Sequence, residues 1–294
     1  MTGANRLLIG VGWAAVVLVS CFRSKTNELI IHPRRILEIR FLLCATLYSF
    51  FVPLSGTINL MDAVVFFAIF IAYAYSAMQG DSDEVELMGP SGMLDREFGD
   101  TGRRILIVVL FVFAAYGIFV SAEPFADSLV TIGRASDIDE FLLVQWVAPL
   151  ASESPEFLIA IMFAWKLRGS VGIGTLISSK VNQWTLLIGA IPIAFALSSG
   201  SWAGLPLDER QTEELILTSA QSLLAVVLIV DLRFSRLEAI ALAALFLAQF
   251  LFTSTEVRYL FIGFYLALAV ALLIQGGGRR RHDLMQILVG KRGG

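Results

Sequence analysis

Long apolar segments recur along the whole chain and are separated by short polar ones. A helix needs about 20 residues to cross about 30 Å of hydrocarbon, and nine apolar segments approach that length. The pattern therefore predicts an all-α polytopic membrane protein with about nine transmembrane helices. The segments cover residues 6–22, 39–56, 59–79, 103–122, 139–165, 171–198, 213–231, 235–253 and 257–275.

An acidic segment that contains Gly and Pro divides the apolar segments into a group of three and a group of six. Such a composition is typical of an exposed loop. We predict four parts, which are three spans in 1–79, an acidic cytoplasmic loop at 80–102, six spans in 103–275 and a basic cytoplasmic tail at 276–294.

Composition agrees with a multi-pass protein of the cell membrane. Hydrophobic residues make up 57% of the chain and charged residues 16%, and the mean hydropathy is +0.77. These values exclude an ordinary soluble domain. The two cysteines, Cys21 and Cys44, both lie in apolar surroundings, so the sequence predicts neither a disulfide framework nor a cysteine metal site.

Basic residues predict the orientation, because Lys and Arg concentrate in cytoplasmic loops. If the tail "GGGRRRHDLMQILVGKRGG" is cytoplasmic, counting back across the spans places the other basic loops on the same side. The segment "GLPLDERQTEE" then lies outside, and so does the amino terminus. The basic loops contain Arg233 and Arg236, Lys166 and Arg168, Arg103 and Arg104, and the residues from Arg23 to Arg40.

Spans one to three resemble spans six to eight. Asp62 in "TINLMDAVVFF" aligns with Glu238 in "RFSRLEAIALA", and "RLLIGVGW" resembles "TLLIGAIP". The loop between the first two spans is basic and predicted inside, whereas its counterpart is acidic and predicted outside, as an inverted-topology repeat requires. Nothing in the first copy corresponds to the segment before span six. We expect either that the gene start is set too far downstream or that a pair of opening helices has been lost.

The segment "ASESPE" (151–156) places two carboxylates in an apolar span close to two prolines. Ionisable groups at this depth are costly and suggest a functional site. Proline frees backbone carbonyls, and carbonyls with carboxylates are ligands of hard cations such as Ca²⁺ and Na⁺. Helical spacing puts Ser152, Glu153 and Glu156 near one face. The four-residue spacing recurs at Ser179 and Gln183, so two such faces predict an oxygen-lined site for a transported cation.

Residues 151–156 and 178–183 resemble the signatures G-T-S-x-P-E and G-S-N-I-x-N in the second α-repeat of the sodium/calcium exchanger and cation antiporter superfamily. The resemblance covers nearly the whole chain and implies that family's inverted repeat. By this resemblance, the chain is expected to lack the first half of the first α-repeat, including its Glu. The ion-binding residues implied by the resemblance are Glu156 as principal ligand, with Ser152, Ser179, Asn182, Gln183 and, from the first repeat, Asn5.

Two departures from the signatures alter the charge of the implied site. Glu153 replaces a Ser and adds a negative charge, so we include it among the ion ligands. Lys180 replaces the first Asn and adds a positive charge. Its ammonium either fills the space of a second cation or forms a buried structural ion pair with Glu156.

The resemblance implies a secondary active cation antiporter with an altered ion site, coupled to a monovalent cation or to protons. The alternative is a non-transporting membrane scaffold or sensor in which Lys180 closes the site. No HExxH motif or nucleophile–base pair indicates an enzyme or a resident cofactor, and both histidines, His32 and His282, are predicted in cytoplasmic segments.

The expected partners are membrane lipids and small inorganic cations. Arg279 to Arg281 indicate topology and attraction to lipid headgroups, so no nucleic-acid partner is expected. The sequence indicates no particular oligomeric state.

Overall fold

The protein is described by a computed structural model over residues 2–79, 99–136, 143–251, 254–275 and 279–289. Within these ranges the chain forms ten helices of at least eleven residues, shorter helical turns at Pro33–Arg35, Val52–Ser55 and Leu143–Val147, and four short strands. The helices are α1 (Thr2–Ser24), α2 (Ile36–Ser49), α3 (Leu60–Gln79), α4 (Asp100–Ser136), α5 (Ala148–Trp165), α6 (Gly169–Ser199), α7 (Glu209–Ile229), α8 (Arg236–Leu251), α9 (Thr255–Gln275) and α10 (Arg279–Val289). The strands are β1 (Glu28–Ile30), β2 (Thr57–Ile58), β3 (Leu205–Pro206) and β4 (Arg233–Ser235).

The helical membrane fold predicted from the hydrophobic pattern is confirmed. Eight helical segments in the described part of the chain are long and apolar enough to cross a membrane. The ninth predicted span corresponds to α8, which has 16 residues. Its predicted end at residue 253 lies outside the described residues. A count of about nine spans is therefore consistent with the structure.

Two of the predicted loops end differently in the structure. The fourth span was expected to end at 122, but α4 continues through Glu123 and Pro124 to Ser136. Most of the predicted acidic loop, residues 80–98, lies outside the described residues. The predicted external segment "GLPLDERQTEE" is partly helical, because Asp208 caps α7 in a capping box with Gln211.

The chain divides into two compact units, which we describe separately. One unit comprises residues 78–147 and contains α4 and the π-helical turn Leu143–Val147. The other comprises 1–77 and 148–294 and contains the remaining helices and all four strands of the described chain. Every residue of the predicted ion site lies in this second unit.

Strand pairing confirms the internal repeat in the register that aligns Asp62 with Glu238; the expected alignment of "RLLIGVGW" with "TLLIGAIP" is three residues out of that register. The antiparallel pairs are β1 with β4 and β2 with β3. Leu29 pairs with Phe234, and Ile58 pairs with Leu205, so adding 176 to one copy gives the equivalent residue of the other. The two pairs are thus one arrangement related by a two-fold axis. Because α6 follows five helices, the second copy crosses in the opposite direction to the first, as in an inverted-topology repeat.

Helix capping follows the same two-fold relation. Asp62 accepts a hydrogen bond from the backbone N–H of Asn59 at 2.8 Å. Glu238, at the equivalent position of α8, accepts one from the backbone N–H of Ser235 at 2.9 Å. Both carboxylates therefore satisfy backbone donors that a helix start leaves without an intrahelical partner.

The carboxy-terminal helix α10 is attached by ion pairs and a backbone contact. Arg280 contacts Asp231 at 3.1 Å and Glu238 at 2.6 Å, and Arg40 Nε donates to the carbonyl of Ile287 at 2.8 Å. Partial burial opposes the charge of Arg280, but these two carboxylates outweigh it and raise the pKa of Arg280. The described part of the basic tail thus lies beside the segment from Asp231 to Glu238 that contains β4.

Close helix packing brings the elements of the predicted site together. A Cβ added to Gly172 in α6 would lie 2.5 Å from the backbone carbonyl oxygen of Ala160 in α5. A Cβ added to Gly12 in α1 would lie 2.6 Å from the ring of Phe157. Small residues permit such close approach between membrane helices. Helices α1, α5 and α6 therefore form a tightly packed trio.

Candidate functional site

The centre of the candidate site is a buried contact between Glu153 of α5 and Gln183 of α6. These residues are 8% and 3% exposed, respectively. Gln183 Nε2 donates to Glu153 Oε2, and Ser152 Oγ lies 3.5 Å from Glu153 Oε1. Gln183 Oε1 is buried and accepts no hydrogen bond from any described residue. Two types of oxygen that bind hard cations, carboxylate and amide, are thus adjacent.

Glu156 brings a second negative charge to this centre. It lies one helical turn beyond Glu153, is half-buried, and is near enough for its charge to act on Glu153. Two neighbouring carboxylates repel each other in a low-dielectric environment, and a cation or a proton relieves that repulsion. In the described part of the chain, no three Asp, Glu, His or Cys side chains are grouped as a metal site.

The prolines do not break α5. Pro155 lacks the N–H that would bond to the carbonyl of Ala151, and Ser154 Oγ donates to that carbonyl at 2.8 Å instead. The carbonyl that Pro155 leaves without its helical donor is thus satisfied within α5, and its use as an ion ligand stays a prediction. π-Helical segments lie at Leu8–Trp13 and Gln183–Leu187, and a third, Leu143–Val147, directly precedes α5 in the sequence. π-Bulges are frequent at functional sites, and the second of these segments begins at Gln183.

Lys180 and Asn5 form the second polar contact of the site. Both residues are 0% exposed. Lys180 Nζ donates to Asn5 Oδ1 at 3.0 Å and to the Asn5 backbone oxygen at 3.4 Å. The ammonium also lies 5.2 Å from the ring centroid of Trp184, within range of a cation–π interaction. It thus binds the oxygens of Asn5 as a bound cation would.

An expected ion pair between Lys180 and Glu156 is not formed. Within the described residues, Lys180 has no carboxylate within salt-bridge distance, and its polar contacts are those to Asn5 and Trp184. Lys180 instead contacts Asn5, and Glu153 contacts Gln183. The structural ion-pair hypothesis for Glu156 and Lys180 is therefore wrong for the described chain.

The remaining predicted ligands lie around these two contacts. Ser179 is half-buried, and its neighbour Ser178 shares a hydrogen bond of 2.6 Å with the hydroxyl of Tyr73. Ser152 is exposed although its hydroxyl approaches Glu153. Asn182 is exposed, whereas the adjacent Gln183 is buried, so the two point to different surroundings.

Four charged residues beside the site were missed by the sequence analysis. They form a buried ionic network that begins at Arg6, directly after Asn5. The acidic members were assigned to the end of an external loop. The capping-box signature "DERQ" at 208–211 would have placed them inside α7. The network consists of Arg6, Glu213, Glu214 and Arg258.

Comparisons with protein families, with protein sequences and with solved structures each give matches. The sequence profile of the sodium/calcium exchanger protein family matches residues 106–255. An uncharacterized membrane protein of Methanocaldococcus jannaschii is 24% identical over 178 residues, which cover 58% of this chain and 53% of that protein. The chain thus spans about half the length of this relative.

Two solved structures share the fold. The crystal structure of the H⁺/Ca²⁺ exchanger CAX superposes with a TM-score of 0.93 at 44% identity, covering 99% of this chain and 72% of that one. The sodium–calcium exchanger NCX_Mj superposes with a TM-score of 0.54 at 19% identity, covering 86% of this chain and 75% of that one. At that identity the second match supports the fold alone.

Proposed function

The chain belongs to the sodium/calcium exchanger family, and from that premise we propose that it is a secondary active cation antiporter. The observation that carries the proposal is the buried contact between Glu153 and Gln183 inside an inverted repeat. In transporters of this architecture the substrate binds near the midplane, where the repeats meet, and each side gains access in turn.

Ca²⁺ exchanged against protons is the substrate pair that this site fits best. When both are ionised, Glu153 and Glu156 carry two negative charges, which match one divalent cation or two protons. Replacement of one Ca²⁺ by two protons therefore leaves the two carboxylates neutralised. The most similar chain among the two solved structures above is named an H⁺/Ca²⁺ exchanger, and this name supports the same pair.

Lys180 alters the site by adding a fixed cation to it. Its ammonium takes the two oxygens of Asn5, which an additional Na⁺ would otherwise use. This arrangement disfavours exchange of several Na⁺ ions for one Ca²⁺. We therefore assign proton coupling to the carboxylates and a competing role to Lys180, whose positive charge repels the transported ion.

The second candidate function is a non-transporting membrane scaffold or sensor. The complete burial of Lys180 against Asn5 favours it, because a permanently held ammonium closes that part of the site. Such a protein would keep the fold but would move no ion across the membrane.

Transport into proteoliposomes separates the candidates. With an acidic interior and a neutral exterior, we expect uptake of radiolabelled Ca²⁺ well above that of protein-free vesicles, with no uptake when the proton gradient is collapsed. Uptake that follows an outward Na⁺ gradient without a proton gradient contradicts proton coupling. Absence of Ca²⁺ uptake and of monovalent cation exchange under every gradient supports the scaffold.

A further inference from the structure

A buried ionic network connects three helices outside the carboxylate centre. Arg258 of α9 contacts Glu213 at 2.9 Å and Glu214 at 3.4 Å, both in α7. Glu214 also forms an ion pair with Arg6 of α1. Glu213 is 1% exposed, Arg6 2%, Glu214 3% and Arg258 9%. Two positive and two negative charges are thus held together away from water.

The network fixes the part of α1 that carries Asn5. The side chain of Arg6 bonds to Glu214, and Gln221 Nε2 donates to the backbone oxygen of Arg6 at 3.4 Å. Neighbouring residues of a helix point about 100° apart, so Asn5 faces Lys180 on α6 while Arg6 faces α7. Helix α1 therefore bridges the candidate site and the ionic network within two consecutive residues.

The repeat itself does not require this cross-helix network. The two-fold relation places Glu38 of α2 at the position equivalent to Glu214. Glu38 pairs with Arg35, which lies three residues earlier and directly before the same helix, at 3.0 Å. Arg258, in contrast, comes from α9, which follows both copies of the repeat. The network is thus an addition to the second copy and links it to a helix outside the repeat.

Burial of four charges is an expensive way to join helices. Each buried ion must be desolvated at a cost in stability, and apolar side chains of similar volume are often as stabilising. Ionisable groups inside membrane helices commonly have a functional role. Ion pairs also have a strict geometry, because Arg presents its donors in a rigid planar fork. They therefore define the position of α1 more narrowly than apolar packing does.

We propose that Arg258 and Glu213 are positioning residues for the candidate ion site, acting through Glu214 and Arg6 on Asn5. This inference rests on the proposed cation-binding function. Arg258 and Arg6 together balance the two negative charges of Glu213 and Glu214. Loss of Arg258 leaves two carboxylates to compete for Arg6, which draws α1 toward α7 and moves Asn5 relative to Lys180.

The test is the Ca²⁺ concentration that gives half-maximal thermal stabilisation of the purified protein. We expect Arg258→Gln to raise this concentration at least about tenfold. Glu213→Gln leaves both ion pairs of Glu214 in place and is expected to give an intermediate shift. If Arg258→Gln does not fold, Glu213→Gln is the variant that tests the proposal.

Glu38→Gln is the matched control, since it removes an ion pair at the equivalent position of the other copy. We expect its Ca²⁺ dependence to stay within about twofold of the unmodified protein. An unchanged Ca²⁺ dependence in Arg258→Gln, whatever its unfolding temperature, overturns the positioning role, and so does an equal shift in Glu38→Gln. If the unmodified protein is not stabilised by Ca²⁺, the proposed function fails instead.

Discussion

Glu153→Gln is expected to abolish Ca²⁺ transport while the fold is kept. A glutamine at 153 still accepts a hydrogen bond from Gln183, so the contact between α5 and α6 survives. Only the charge is lost, and with it the main attraction for a divalent ion. We expect the initial rate of Ca²⁺ uptake into proteoliposomes to fall at least about 100-fold, which corresponds to about 2.7 kcal/mol.

Glu156→Gln is expected to have a similar effect, and Glu209→Gln serves as the control. Glu209 is an exposed carboxylate at the start of α7, so its replacement should leave uptake unchanged. Unfolding temperatures of all three variants are measured alongside transport. Normal uptake in a well-folded Glu153→Gln protein would show that this carboxylate only joins the two helices.

Lys180→Asn is expected to increase the affinity for divalent cations. At an effective dielectric constant of about 20 and a separation of about 10 Å, two unit charges repel by about 1.7 kcal/mol, and a divalent ion feels about twice that. Removal of the ammonium should therefore lower the Ca²⁺ concentration for half-maximal uptake roughly tenfold or more. The measurement is the Ca²⁺ dependence of the initial uptake rate at fixed pH.

Lys180→Met separates the charge of Lys180 from the ligand oxygen that asparagine would add. Methionine fills a similar volume without a charge, so it should increase the affinity as well. A gain confined to Lys180→Asn would mean that a new oxygen ligand was supplied and that no repulsion was relieved. A loss of affinity in both variants would make Lys180 a structural support of Asn5.

The sequence was sufficient to predict the membrane spans and the repeat because both depend on pattern. Apolar length predicts a span directly, and the reversed charge of equivalent loops predicts an inverted repeat. The alignment of Asp62 with Glu238 reflects a real equivalence, since both residues cap helices related by the two-fold. The end of α4 was missed because Glu123 and Pro124 mimic a helix boundary.

Partners within the site were harder to predict, because they depend on the rotation of each helix about its axis. Spacing placed Glu153 and Gln183 on suitable faces, but it could not show that Lys180 turns toward Asn5. Averaged hydropathy also treats Glu213 and Glu214 as the edge of a span. Their burial depends on Arg6 and Arg258, which are distant in sequence and therefore give no local signal.

The location of the bound cation tests the proposed ion site most directly. Anomalous diffraction from crystals of the protein grown with millimolar Sr²⁺ reveals the ion independently of transport. We expect one peak about 2.5 Å from carboxylate oxygens of Glu153 and Glu156, beside Gln183, and we expect it to be absent in Glu153→Gln. A cation bound away from these residues, or no cation between them, would contradict the proposed ion site.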